Sequence, residues 1–261
     1  MKPIVQPYAN TSRSSRALAQ ALGCKRILVK KSTYRHPAGR RKVINWGSQR
    51  HYPGVPDSDY INRPTAVAKA SNKITTLQCL TENGVNTLEF TTEFREAFSL
   101  LGNGTWPTIY ARHKVSAHSG EGIEIVSDPD LLPAAPLYTK ALENWTEWRL
   151  HMGLVGEENY QVIRIQQKVH EEGSRRRPGT HPIRNHAAGY VFRVQDLDVP
   201  NQDEMEEIGA DSLEALGLHF GAIDLAYQNG EWIVIEVNTA CGLEGEMSAQ
   251  LYKEYFDDIC N

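Results

Sequence analysis

The sequence predicts a soluble α+β protein in which strand-length apolar runs and amphipathic helices follow one another in irregular order. Three observations carry that prediction. β-Branched and apolar runs bounded by Gly, Pro and Asn recur along the chain. One long hairpin signal, within 220–242, turns on Asn229-Gly230. Hydrophobic residues make up 40% and charged residues 23% of the 261, the balance of a chain that buries a core, and no apolar run reaches the ~18 residues of a membrane helix. The length suits one large domain or two small ones.

The elements follow in order. Ser12 to Leu22 reads as a helix stopped by Gly23, then Arg26–Lys30 and Val43–Trp46 as strands, with 48–64 a Pro-, Gly- and Asp-rich loop. Ser71 is placed to cap a helix running to Asn83, with Ile74, Leu77 and Leu80 on one face. Thr92 caps the next, which carries Phe94, Phe98 and Leu101 and ends at Gly102. Thr108–Arg112 and Gly122–Val126 are strands joined through Ser116-Ala117-His118-Ser119-Gly120-Glu121-Gly122, which is either a plain hairpin turn or a flap whose N–H groups close over phosphates. Strands follow at 146–152, 160–169 and 188–194, and a helix at 203–216. Between them Arg175-Arg176-Arg177 marks a solvated loop or a clamp for an anion. The chain ends in a helix from Glu246 to Ile259 with Met247, Leu251, Tyr255 and Ile259 on one face.

Charge and cysteine usage exclude several functions. Lys and Arg total 28 against 32 Asp and Glu, a net charge of −4, which argues against a globally basic nucleic-acid binder but not against a local basic patch. Cys24, Cys79, Cys241 and Cys260 form no C-x-x-C pair, which argues against a thiolate zinc site and suits free thiols in a reducing cytoplasm. The first residues carry no apolar signal core, so a cytoplasmic location is the expectation. There is no P-loop, dinucleotide fingerprint, G-x-S-x-G or H-E-x-x-H.

The hairpin carries the chemistry. Asp224, Glu236 and Asn238 interrupt its apolar flanks, and alternation puts Glu236 and Asn238 on one face. Two readings fit: an exposed sheet face with solvated carboxylates, or a hard-oxygen site suited to Mg²⁺. For Asp224 to share that face, it must pair with Glu236. A two-residue Asn229-Gly230 turn would place it opposite Ile235, so the shared site predicts a three-residue turn, Asn229-Gly230-Glu231. That register puts Ala222 opposite Asn238 and Ala226 opposite Val234, and leaves Ile223, Leu225, Ile233, Ile235 and Val237 as the core face.

The run Glu236-Val237-Asn238-Thr239-Ala240-Cys241-Gly242-Leu243-Glu244-Gly245 resembles the metal-binding segment of the ATP-grasp superfamily. It is closest to the glutamate-adding ligases that modify ribosomal protein tails, and similar to D-alanine–D-alanine ligases; Cys241 stands where the family has proline. Further resemblances lie upstream in the family's order. Ser71-Asn72-Lys73 looks like the Asp-Lys whose lysine reaches the ATP phosphates. Tyr110-Ala111-Arg112 resembles the strand ending in a second phosphate-binding lysine, here arginine. Ser119-Gly120-Glu121-Gly122 resembles the glycine flap, and Leu137-Tyr138-Thr139-Lys140-Ala141 the hinge that pairs with adenine through its backbone. Glu147-Trp148-Arg149 is similar to the acidic-x-Arg element whose carboxylate holds the ribose. Arg184-Asn185, followed by Gly189, resembles an Arg-x-Asn element, with Arg and Asn here adjacent.

The resemblance implies an ATP-grasp fold. Two α+β lobes, about 71–140 and 141–261, would hold ATP between them, preceded by a reduced amino-terminal α/β unit, 1–70. It implies ATP and two Mg²⁺ ions, with Mn²⁺ as an alternative, held by Asp224, Glu236 and Asn238. It also implies nucleotide contacts from Lys73, Arg112, Ser119, Gly120, Gly122, Tyr138, Thr139, Lys140, Ala141 and Glu147. Arg149, Arg184 and Asn185 would serve the reaction. The implied activity joins a carboxylate to an amine (of an amino acid, peptide or protein tail) through an acyl phosphate, releasing ADP and phosphate. No membrane or nucleic-acid partner is expected. A phosphotransferase on the same fold, or a non-catalytic protein that binds anions through Arg175–Arg177, are the alternatives.

Overall fold

A computed structural model describes residues 1–30, 32–37, 41–116, 120–174, 183–243 and 245–260. Three sheets organise the chain.

The first sheet is parallel: β1 (Ile4–Pro7), β2 (Val43–Trp46) and β3 (Tyr60–Ile61), in that order. Helix α1 (Arg13–Ala21) packs on it, capped by Ser12, whose hydroxyl accepts the Ser15 N–H. The expected strand at Arg26–Lys30 is only a single bridge, Val5 to Arg26. Asn10 accounts for the difference, because its side chain takes the Val29 N–H at 2.8 Å and draws the run off the sheet. The expected loop at 48–64 contains β3 and a 3₁₀ turn, Asp57–Asp59. Helix α2 (Pro64–Ala70) starts on its proline. The Ser71 hydroxyl closes that helix on Val67, and Asn72 rather than Ser71 caps α3 (Lys73–Glu82).

The second sheet, in the order β4-β7-β5-β6, is antiparallel: β4 (Phe90–Thr91), β5 (Ile109–Arg112), β6 (Ile123–Val126) and β7 (Leu137–Lys140). Helix α4 (Phe94–Gly102) buries Ala97 and Leu101 against it. Glu93, not Thr92, holds the cap position, and Phe94 and Phe98 stay half exposed.

The third sheet runs β10-β9-β8-β11-β12 and is antiparallel throughout. Its strands are β8 (Thr146–Val155), β9 (Asn159–His170), β10 (Tyr190–Arg193), β11 (Phe220–Gln228) and β12 (Glu231–Asn238). Helix α5 (Gln202–Leu216) covers one face through Trp148, Leu150, Ile223, Leu225, Trp232 and Val234. Helix α6 (Gly245–Cys260) covers part of the other, between the sheet and α1. Its buried face is Ala249, Tyr252, Tyr255 and Phe256, while Met247 is exposed. The predicted stripe is rotated because Tyr252 and Phe256 pack on Phe220.

The first sheet meets the third through Trp46, stacked on Phe220 at 5.5 Å. Just beyond, Gly47 has φ +82°, and a Cβ there would lie 2.7 Å from the Ala240 Cβ. Gly47→Ala therefore combines left-handed strain with a steric conflict and should lower stability by about 1–3 kcal/mol in urea unfolding.

Candidate active site

The site is built on an irregularity of β12. The hairpin closes as a two-residue turn, Gln228 opposite Glu231, with Asn229 at φ 54° and Gly230 at φ 90°. Leu225 lies opposite Val234, yet Asp224 lies opposite Glu236, so Ile235 is an extra residue. This bulge, not the predicted three-residue turn, brings Asp224 to Glu236 and Ala222 to Asn238. It also corrects the faces. Ala226 pairs with Ile233, not Val234. Trp232, Val234 and Val237 enter the α5 core, while Ile233 and Ile235 join the cluster of Leu77, Leu88 and Leu137.

Asp224, Glu236 and Asn238 form one hydrogen-bonded group. The Asn238 amide donates to Glu236 Oε1 at 3.1 Å and to Asp224 Oδ2 at 3.5 Å. Each carboxylate has its own cation. Lys73, the first residue of α3, sits 2.7 Å from Glu236. Arg149, on the neighbouring β8, grips Asp224 with two parallel bonds of 2.6 and 2.8 Å. Burial pushes the Glu236 carboxyl up, but Lys73, Asn238 and Arg149 outweigh it and hold the group ionised, far below the usual carboxylate range. Burial likewise disfavours the Arg149 charge, and Asp224 more than restores it.

Arg112 is 8% exposed, and burial lowers its guanidinium, with Glu236 opposing. Its Nε donates to the Thr139 hydroxyl at 3.2 Å. Thr139 thus reaches the site through its side chain. The backbone of β7 is less available than the hinge resemblance implies: it is a central strand, and the Lys140 and Ala141 N–H groups already bond Glu89 and Thr108 carbonyls. Tyr138 is buried with its hydroxyl on Pro133, and Lys140 pairs with Glu89 at 2.6 Å. Leu142 and Glu143, beyond the strand, are the next backbone groups in line.

Glu147 pairs with Lys168 of β9. Burial nevertheless raises its carboxyl to about 7, against the pull of Lys168 and with a push from Asp224. Its protonated form therefore favours folding, a contribution complete below the ordinary value of 4.5 and lost as pH rises through about 7. Glu147→Gln should gain on the native chain in urea midpoint between about pH 5 and about pH 8. An equal difference at both would contradict the shift.

Arg184 lies 3.7 Å over the Trp145 ring and donates to the Trp145 carbonyl, just before β8, rather than reaching the carboxylate group. Asn185 caps the turn His186–Ala188. Gly120 has φ +78°, and a Cβ there would collide with the Ile183 side chain, so the flap passes against the Arg184 segment. Gly122 has φ +75° and its carbonyl accepts the His113 N–H. Ser119, His118 and Arg175–Arg177 lie outside the described residues.

Beneath Asn238, Cys241 donates to the Asn238 carbonyl at 3.4 Å and accepts from Tyr252, whose hydroxyl lies 2.9 Å from His151 Nδ1. Burial raises the Cys241 thiol to about 11 and lowers His151 to about 3, so both are neutral packing groups near neutral pH.

A cavity of about 320 Å³ opens here. Of the predicted residues, Lys73, Arg112, Glu236 and Asn238 line it; Asp224, Arg149, Glu147, Arg184, Asn185, Gly120, Gly122 and the hinge do not. Sequence reasoning missed Ile235, Leu77 and Leu88 as its apolar wall, and Tyr8, Gly47 and Gln49, which reach it from the first sheet. No local signal marks a bulge, but the glycine closing β2 was readable as a close approach.

No family model matches the sequence, and no curated protein matches it either. Solved structures do. D-alanyl-alanine synthetase A from Vibrio cholerae superposes with a TM-score of 0.64 at 14% identity, over 100% of this chain and 98% of that one. The ATP-grasp ligase PsnB in complex with a minimal precursor gives 0.67 at 13% identity, over 98% and 99%. A RimK domain ATP-grasp protein from Sphaerobacter thermophilus gives 0.62 at 14%, over 99% and 100%. The chain has the ATP-grasp fold. The matching structures are ATP-grasp ligases, at low sequence identity.

Proposed function

We propose that this chain is an ATP-dependent carboxylate–amine ligase working through an acyl phosphate. The observation that carries the reading is the bulge-built group of Asp224, Glu236 and Asn238, joined by Lys73 and Arg149 and flanked by Arg112. The donor set suits a divalent cation. Among the described residues no three His, Cys, Asp or Glu side chains cluster, so two carboxylates and an amide need phosphate oxygens to complete a shell. Mg²⁺, or Mn²⁺ in its place, would be held by these three residues, two ions in number, and would neutralise phosphate charge. A nucleotide also suits the orphaned groups: the Tyr110 hydroxyl and Arg184 Nε are buried without hydrogen-bond partners, and Glu147 acts electrostatically on both residues.

In this reading Lys73 and Arg112 supply positive charge for the triphosphate, and Thr139 holds Arg112 in place. The Gly120–Gly122 flap covers the phosphates with its backbone, closing against the Arg184 segment. Glu147 accepts the ribose hydroxyls. Ile235, Leu77 and Leu88 exclude water from the apolar side. The substrate carboxylate attacks the γ-phosphorus beside Lys73 and Arg112; Arg149, outside the cavity lining, acts through Asp224, which it holds in place beside Glu236 and Asn238, and Arg184 and Asn185 border the acyl phosphate. An amine then displaces phosphate. Two anions must approach each other, and fixed cations lower that barrier.

Residues 1–70 form a reduced amino-terminal unit and 71–140 and 141–261 the two lobes. The run Glu236–Gly245 favours a peptide- or protein-modifying ligase of the glutamate-adding kind, in the cytoplasm. Incubation with ATP, Mg²⁺ and a panel of amino acids and peptides tests this. Phosphate release that requires both a carboxylate and an amine, with a product mass one water short of their sum, supports it; release without amine favours a phosphotransferase.

A further inference from the structure

The charge of this molecule is divided sharply along the chain. Residues 1–63 hold thirteen Lys and Arg against two Asp and Glu, and residues 64–261 hold fifteen against thirty. A net −4 therefore joins a segment of +11 to one of −15. The two acids of the basic segment are engaged elsewhere: Asp59 lies 2.7 Å from His36 and Asp57 3.5 Å from His51. Among the described residues, no Lys or Arg of 1–63 makes an ion pair. Arg26, Arg41 and Lys42 turn to backbone carbonyls instead. Like charges at this density repel one another, and an anionic partner relieves them.

Their placement matters as much as their number. Arg13 and Arg16, exposed on the first turns of α1, and exposed Arg50 lie beyond the carboxyl ends of β1 and β2. Burial and then Arg16 lower the Arg26 guanidinium, a sign of crowded positive charge at this end. From the same strand ends Tyr8, Gly47 and Gln49 line the cavity that holds Lys73, Arg112 and Glu236.

We propose that this basic surface docks an acidic polypeptide, which delivers a side-chain or terminal carboxylate into the cavity; the delivery rests on the ligase reading above. An acidic polypeptide supplies in one chain both the negative charge the surface needs and the carboxylate the cavity would activate. A nucleic acid supplies only the charge. The acidic remainder of the molecule confines a polyanion to the first 63 residues and the cavity mouth.

The test is fluorescence anisotropy of labelled octaglutamate with the full chain, beside labelled oligothymidylate of equal length. Octaglutamate should bind the more tightly, and raising salt from about 50 to about 300 mM should weaken it about tenfold. The variant R13Q/R16Q/R50Q should lose about tenfold in affinity. Lys253→Gln, on α6, should lose none. Arg50→Gln alone gives a smaller loss of the same sign if the triple variant does not fold. Unchanged affinity in the arginine variants, or tighter binding of oligothymidylate through them, overturns the proposal. Arginine-dependent peptide binding without peptide-dependent phosphate release keeps the docking surface and counts against the ligase reading alone.

Discussion

Glu236→Gln should fold as the native chain does and lose ATP-dependent phosphate release by ~10²-fold or more. The substitution keeps shape and one acceptor oxygen, so the Asn238 bond at 3.1 Å and the register against Asp224 survive. What it removes is a full negative charge from a group with only two carboxylates. Lys73 loses its partner as well, but the pair is partly open to solvent, at 20% and 29% side-chain exposure. The stability cost is therefore about 1 kcal/mol or less, and the loss of turnover can be read apart from it. Near-native phosphate release would remove Glu236 from the reaction.

Arg149→Met should be the most destabilising single change at the site, by about 3–5 kcal/mol in urea unfolding. Asp224 is 3% exposed, and both its oxygens are held by the guanidinium. Removing that cation leaves a buried charge without compensation, which costs far more than a surface pair is worth. The double variant Arg149→Met/Asp224→Leu should recover most of the stability and none of the activity. A single-variant loss under about 1 kcal/mol would mean that water or a neighbouring cation replaces Arg149.

Much of this architecture was legible in the sequence. Val43–Trp46 and the helix stopped by Gly23 lie where the glycines that follow them put them. The hairpin residues announced themselves because carboxylates in a β-branched run need a reason. What was not legible is tertiary. The requirement that Asp224 face Glu236 was readable, but the device was not. Alternation assumes a regular ladder, and a bulge at Ile235 meets the same requirement while leaving the favoured Asn-Gly turn intact. The same bulge moved Ile235 from the presumed core to the cavity wall. Leu28 and Val29 have strand composition, but a side chain nineteen residues before Val29, that of Asn10, takes the backbone donor a ladder would need. The hinge was assigned from resemblance, and only the strand order shows that β7 is flanked on both sides. The charge division between 1–63 and the rest was in plain view, and the near-neutral total of −4 concealed it.

In the proposed reaction a carboxylate oxygen attacks the γ-phosphorus of ATP in the cavity lined by Lys73, Arg112, Glu236 and Asn238. The most direct test supplies the chain with ATP, Mg²⁺, an amine and a glutamate-rich peptide whose carboxylates carry heavy oxygen, and reads the released phosphate by mass spectrometry. An acyl phosphate requires that one labelled oxygen leave with the phosphate, in proportion to amide formed and absent in Glu236→Gln. Unlabelled phosphate accompanying amide, or release of AMP and pyrophosphate, would contradict it.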